Sequence, residues 1–200
     1  MIQLDRVSKS YNGLLVINRL SLTVNAGEVI GLVGPSGVGK TTLLRLVAGL
    51  TQPDAGTVSV GSSRLSYVFQ EARLLPWRSA AANVAVALQA SGADRPTSQA
   101  LTQEWLRRVG LAGFDQYYPA QLSGGMQQRV ALARAFAVQP DILLLDEPFS
   151  HLDDGHKQEL LAILRELIES ANVTVMYVTH TISELDGLAS RILPLKPRLN

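Results

Sequence analysis

The run Gly34-Pro35-Ser36-Gly37-Val38-Gly39-Lys40-Thr41 places glycines, a lysine and a hydroxyl at the G-x-x-x-x-G-K-[ST] spacing. Glycines let a backbone curl so that successive N–H groups point inward at phosphate oxygens. A helix expected to start at Lys40 would add its positive end. Lys40 is then suited to β- and γ-phosphates, and the Thr41 hydroxyl to Mg2+. Asp146-Glu147 follows the apolar run 142–145. Acids at the end of a buried strand are costly unless they bind something. Asp146 is therefore expected to hold Mg2+ through water, and Glu147 to polarise or deprotonate an attacking water. His180 follows an expected strand at 174–178, where it either reaches the same phosphate or caps a surface. Leu122-Ser123-Gly124-Gly125-Met126-Gln127-Gln128-Arg129 offers a second anion site, because Ser123 can cap a helix and Gly124-Gly125 allow close approach to its first turn. One nucleotide does not need two phosphate cradles from one small domain. The second cradle is expected to serve the nucleotide of a partner molecule. His151 and His156 sit in no recognised zinc spacing with the carboxylates and read as structural or surface residues.

These groups need a scaffold, and the chain supplies strands alternating with helices, the pattern of an α/β sheet core. Alternation at 2–4 and 20–24 reads as strands, with Asn12-Gly13 as a turn. The unalternating run 29–33 reads as a strand buried on both faces. Helices are expected at 40–48, 124–138, 157–170 and 183–189. Further strands are expected at 57–60, 66–69, 141–145 and 174–178. Residues 79–116 turn helical in spacing, with Val84, Leu88, Trp105 and Leu106 on the apolar side, and 91–98 reads as a loop. Pro194 makes 191–195 an edge strand or a loop. At 200 residues with 46% apolar and 18% charged content, the chain suits one domain with a sizeable core and not two large ones. A net charge of +1 argues against a chain dominated by nucleic-acid binding. Without cysteine there is no disulfide framework and no thiolate chemistry. The N-terminus lacks the apolar run of a signal peptide, and no stretch approaches the roughly 18 apolar residues of a membrane span.

Taken in order, these motifs resemble the ATP-binding subunit of an ABC transporter, over essentially the whole chain. Residues 34–41 resemble its Walker A loop and 142–147 its Walker B strand. Residues 122–127 resemble the LSGGQ signature, with Met126 at the position of the final glutamine, a variant found in importer subunits. Gln70 resembles the Q-loop glutamine, 150–153 the D-loop, and His180 the switch histidine. Tyr11 sits where the family places a ring against adenine. The resemblance implies a P-loop NTPase of the α/β class: an ABC-type ATPase core with an antiparallel β subdomain and a small helical lobe inserted at about 71–138, all in a single domain over 1–200. It implies ATP and Mg2+, with Glu147, His180 and Gln70 as catalytic residues and Thr41, Gln70 and Asp146 as metal-holding residues. ATP would meet Tyr11, Gly34, Pro35, Ser36, Gly37, Val38, Gly39, Lys40, Thr41 and Thr42 of one subunit, and Ser123, Gly124 and Gly125 of another.

The implied partners are a second copy in a head-to-tail dimer, integral membrane permease subunits and, indirectly, a periplasmic or extracellular solute-binding protein, but no nucleic acid. The implied location is peripheral, on the cytoplasmic face of the inner membrane. Phe69-Gln70-Glu71-Ala72-Arg73-Leu74-Leu75-Pro76-Trp77 resembles the F-Q-x-x-x-L-L-P-W segment of the nitrate/sulfonate/taurine importer group. Leu75 and Trp77 would lie near the groove for a coupling helix, or pack the helical lobe. A non-transport ATPase, an importer of another cargo and an exporter remain alternatives. Thr181 replaces the usual Asp after the switch histidine, and His151 the usual Ala of the D-loop. Core and lobe nearly exhaust the length, so no C-terminal regulatory domain is expected.

Overall fold

The computed structural model describes residues 1–195. The short tail from Lys196 lies outside the described residues. The chain forms two compact units.

The first unit comprises Met1–Tyr67, Asp141–Glu147 and, of the described residues, 172–195. Its antiparallel sheet joins β1 (Ile2–Tyr11), β2 (Leu14–Val24) and β4 (Ala55–Val60) in the order β2-β1-β4. Tyr11 pairs with Leu14 across Asn12 and Gly13, both at positive φ, as a tight two-residue hairpin requires. The second sheet holds β3 (Val29–Val33), β5 (Leu65–Val68), β6 (Ile142–Asp146), β7 (Thr174–Thr179) and β8 (Arg191–Pro194), in the order β5-β6-β7-β3-β8. β6, β7, β3 and β8 run parallel. Every residue of β3, β6 and β7 is buried, which is why their sequences are continuous apolar runs. Pro194 sits on an edge strand, where a missing N–H is tolerated.

Helix α1 (Lys40–Val47) buries Leu43, Leu44, Leu46 and Val47. These pack with Ile2, Leu4, Ile30, Leu32, Ile142, Leu144, Met176 and Val178 into one cluster that joins both sheets. Register then fixes the site. Val33 lies opposite Thr179, and Asp146 opposite Val178. Gly34, Glu147 and His180 therefore leave neighbouring strands at the same carboxyl edge, where open α/β sheets bind ligands.

The second unit comprises Val68–Pro140 and Pro148–Ala171. It contains α2 (Ala80–Ala90), α3 (Arg95–Arg108), α4 (Gly124–Ala137) and α5 (Asp154–Ala171). Ser79, Asp94 and Ser123 cap the first three, each accepting an N–H from three residues on. Trp105 of α3 stacks on Phe136 of α4, with ring centroids 6.1 Å apart. Val84, Leu88, Trp105 and Leu106 are buried.

Local expectations change in detail. The loop expected over 91–98 is shorter, because Asp94 caps α3 and Pro96 sits in its first turn, where proline lacks no needed N–H. The helix expected over 183–189 is a single 3₁₀ turn, Ile182–Leu185, followed by Gly187 at φ 67°. β1 and β2 are longer than their alternating cores, and run through positive-φ kinks at Arg6 and Arg19.

Candidate functional site

The loop after β3 curls back on itself before α1. Gly39 caps that helix at φ 103°, a conformation closed to most side chains. A Cβ on Gly34 would lie 2.6 Å from the Leu195 carbonyl oxygen. A left-handed φ at Gly39 and close backbone approach at Gly34, not side-chain chemistry, demand glycine. Lys40 is 4% exposed. Its Nζ donates to the carbonyls of Gly34, at 2.8 Å, and Pro35, at 3.2 Å. It also pairs with Glu147 Oε1 at 3.2 Å.

Glu147 stands in the left-handed region at φ 47°, a strained position for a non-glycine residue. Its N–H is fixed on the Val178 carbonyl at 2.9 Å. This turns the carboxylate toward Lys40 on one side and His180 on the other, with His180 Nδ1 2.8 Å from Oε2. Burial alone would push the Glu147 carboxyl up. Hydrogen bonds from His180 and Lys40, with the Lys40 charge, outweigh it and hold the group below its ordinary value. The carboxylate is thus kept ionised, as a proton acceptor must be.

Thr41 Oγ1 donates to Asp146 Oδ1 at 2.8 Å, and Tyr67 OH donates to Oδ2 at 2.8 Å. A hydroxyl beside a buried carboxylate is a hard, all-oxygen donor set that suits Mg2+. Beside the loop, a cavity of about 550 Å3 is lined by Leu14, Leu20, residues 35–39, Leu43 and Leu195. Tyr11 lies at the end of β1 beyond that lining, half exposed, with the Lys9 ammonium 5.5 Å above its ring. Thr42 is half-buried in α1.

In the second unit, Gln70 Nε2 lies 3.1 Å from both Ser150 Oγ and His151 Nε2. The backbone around Gln70 is tied to α4: Gln128 Nε2 donates to the Gln70 carbonyl at 2.7 Å, and Arg134 to the carbonyls of Ala72 and Arg73. Burial pulls the Arg134 guanidinium down from its ordinary value. Ser123 Oγ accepts the Met126 N–H at 3.2 Å. Neither positive φ nor crowding requires glycine at 124 or 125, since a Cβ at either would make only ordinary contacts, with Leu152 or His156 at 3.9–4.0 Å. Trp77 is 70% exposed and Leu75 half-buried. Its loop hangs on Asn83, which bonds the Leu75 N–H and the carbonyls of Leu75, Arg78 and Ser79. His156 pairs with Asp153 on the surface, which raises the imidazole and lowers the carboxyl through their hydrogen bond.

Thr41 and Asp146 meet within the first unit, as do Lys40, Glu147 and His180. Gln70, Ser123, Gly124 and Gly125 belong to the second unit. Tyr67 bonds Asp146, Arg134 the backbone beyond Gln70 and Asn83 the Trp77 loop, and none of the three belongs to a recognised spacing, whereas Gln128 lies within the run 122–129. Only the polar residues inside apolar stretches hinted at them.

Such a phosphate loop, with strand-end carboxylates and a capped Gly-Gly helix, defines an ATP-binding cassette. The ABC transporter family model matches residues 17–150, and the chain belongs to that family. The chain is 41% identical to the Fe(3+) ions import ATP-binding protein FbpC of Agrobacterium fabrum, over 96% of this chain and 57% of that protein. It is also 41% identical to the sulfate/thiosulfate import ATP-binding protein CysA of Synechococcus elongatus, over 96% of this chain and 59% of that one. The taurine import ATP-binding protein TauB of Yersinia pseudotuberculosis is 39% identical, over 98% and 80% respectively. The chain thus spans under three fifths of the length of the iron and sulfate relatives. Its fold matches the dimeric, post-hydrolysis ATP-binding cassette MJ0796 bound to ADP and Pi, with a TM-score of 0.89 and 31% identity over 98% of this chain and 94% of that one.

Proposed function

We propose that this chain is the ATP-hydrolysing subunit of a membrane importer whose cargo is a small anion such as taurine, another sulfonate or nitrate. The observation that carries the ATPase reading is the Lys40–Glu147–His180 chain at the carboxyl edge of adjacent parallel strands, beside a phosphate-type loop. The relatives named above span iron, sulfate and taurine import, and the Leu74-Leu75-Pro76-Trp77 segment favours the anion group among them.

Lys40 moves from Glu147 and the loop carbonyls onto the β- and γ-phosphate oxygens of ATP. The loop N–H groups and the N-terminus of α1 hold the remaining phosphate charge. Thr41 and Asp146 would hold Mg2+, which neutralises phosphate charge when bound. Glu147, released from Lys40, takes the proton of the attacking water on its carboxylate. His180 keeps that carboxylate aimed and contacts the γ-phosphate. Ser123, Gly124 and Gly125 of a second, head-to-tail copy complete the site. Two glycines that neither packing nor φ requires support an outside molecule coming close there. ATP bridging both copies holds them together, and hydrolysis removes that attraction. The two compact units then work as one ATPase domain. Among the described residues no helix is long and apolar enough to cross a membrane. The proposed place of the chain is the cytoplasmic face of the inner membrane, bound to permease subunits near Trp77.

Replacing Glu147→Gln tests the ATPase reading. The variant should bind ATP and lose hydrolysis when assayed with its permease. Normal turnover would remove Glu147 from the chemistry. Co-purification with an integral membrane subunit tests the transport reading.

A further inference from the structure

Asp146 is buried at the end of β6, and side chains of its own unit engage both its oxygens. Thr41 Oγ1 donates to Oδ1 and Tyr67 OH to Oδ2, each at 2.8 Å. The contact with Thr41 joins two recognised motifs. The contact with Tyr67 belongs to none. Tyr67 lies on β5, and its ring packs against the cluster that contains Ile142 and Leu144 of the neighbouring strand. That apolar packing determines where the hydroxyl sits. The hydroxyl is therefore the fixed partner and the carboxylate the oriented one. The terminal torsion of an aspartate is soft, so a carboxylate held on one oxygen alone can swing. Phenylalanine would fill the same ring volume and lose the bond to Asp146.

An ionised carboxylate offers about four acceptor sites. Tyr67 and Thr41 each use one, which leaves Asp146 able to accept from metal-bound water. Partners that orient a metal-binding group are typically worth roughly 10- to 100-fold in metal affinity.

We propose that Tyr67 is a positioning residue for the divalent metal, its hydroxyl setting the rotamer of Asp146 against Thr41. The proposal rests on reading Asp146 as a metal-holding residue. It goes beyond that reading by assigning a role to a strand residue outside every motif.

The test compares the full chain with Tyr67→Phe and Asp146→Asn. The affinity of each for fluorescent β,γ-imido ATP is measured in excess Mg2+ and in EDTA, with a circular-dichroism melt to follow the fold. Tyr67→Phe should bind the analogue as the parent does in EDTA and about 10-fold more weakly in Mg2+. A merely structural role would weaken both or neither. An unchanged or tighter Mg2+ affinity in Tyr67→Phe, beside a weakened one in Asp146→Asn, overturns the Tyr67 assignment and leaves the Asp146 reading standing. Unchanged Mg2+ affinity in both variants overturns the Asp146 reading and this proposal with it.

Discussion

Asn83→Ala should destabilise the second unit by about 2–3 kcal/mol. Asn83 is fully buried in α2, a helix otherwise rich in alanine and valine. Its Oδ1 accepts the Leu75 N–H at 2.7 Å. Its Nδ2 faces the carbonyls of Leu75, Arg78 and Ser79 at 3.0–3.2 Å. An amide nitrogen has only two hydrogens, so the side chain makes about three full hydrogen bonds. At a net ~1 kcal/mol each, the loss is about 3 kcal/mol. Arg78 is exposed, so its carbonyl can regain water and lower the loss somewhat. For a chain of this size, a loss of 2–3 kcal/mol lowers the melting temperature by about 5–10 °C. Both tryptophans, Trp77 and Trp105, lie in the second unit, so intrinsic fluorescence during urea unfolding reports on it directly. Asn83→Asp keeps the acceptor but turns a charged oxygen on the carbonyls, and should cost more. A loss under ~0.5 kcal/mol for Asn83→Ala, or an Asn83→Asp variant as stable as the parent, would refute the view that this side chain holds the Trp77 loop.

Lys40→Ala should weaken ATP binding strongly, because the ammonium is the buried cation of the loop; equal affinity by fluorescent-nucleotide titration would count against its role. The same change should let the Glu147 carboxyl rise, since Lys40 helps to hold it down. Because Glu147 sits below its ordinary value when folded, it contributes stability above the unfolded value of about 4.3, and that contribution is lost as pH falls through the folded value. Urea midpoints should therefore drop on the acid side, and more shallowly in Glu147→Gln. Identical acid slopes for parent and variant would contradict the Lys40–Glu147–His180 network.

Much of the candidate site was legible because its chemistry is local. A glycine loop ahead of a helix, acids ending an apolar strand and a serine before Gly-Gly are short spacings, and each dictates its own backbone. The strands β3, β6 and β7 were legible for a related reason, since burial on both faces writes itself as an unbroken apolar run. Helix boundaries near Pro96 and Gly187 were less so, because a proline reads alike in a loop and in a first turn until its cap is seen.

Tertiary structure alone decided which of these pieces meet. Parallel register brought the ends of β3, β6 and β7 level, so Lys40, Glu147 and His180, far apart along the chain, became one hydrogen-bonded array. It put the Tyr67 hydroxyl on Asp146 and hung the Trp77 loop on Asn83. None of these pairings has a period or a spacing, because hydrogen bonds between distant segments depend on which strands pair and which side chains the core holds still. The sequence by itself determined the chemistry available to this protein, and the packed sheet decided which atoms share it.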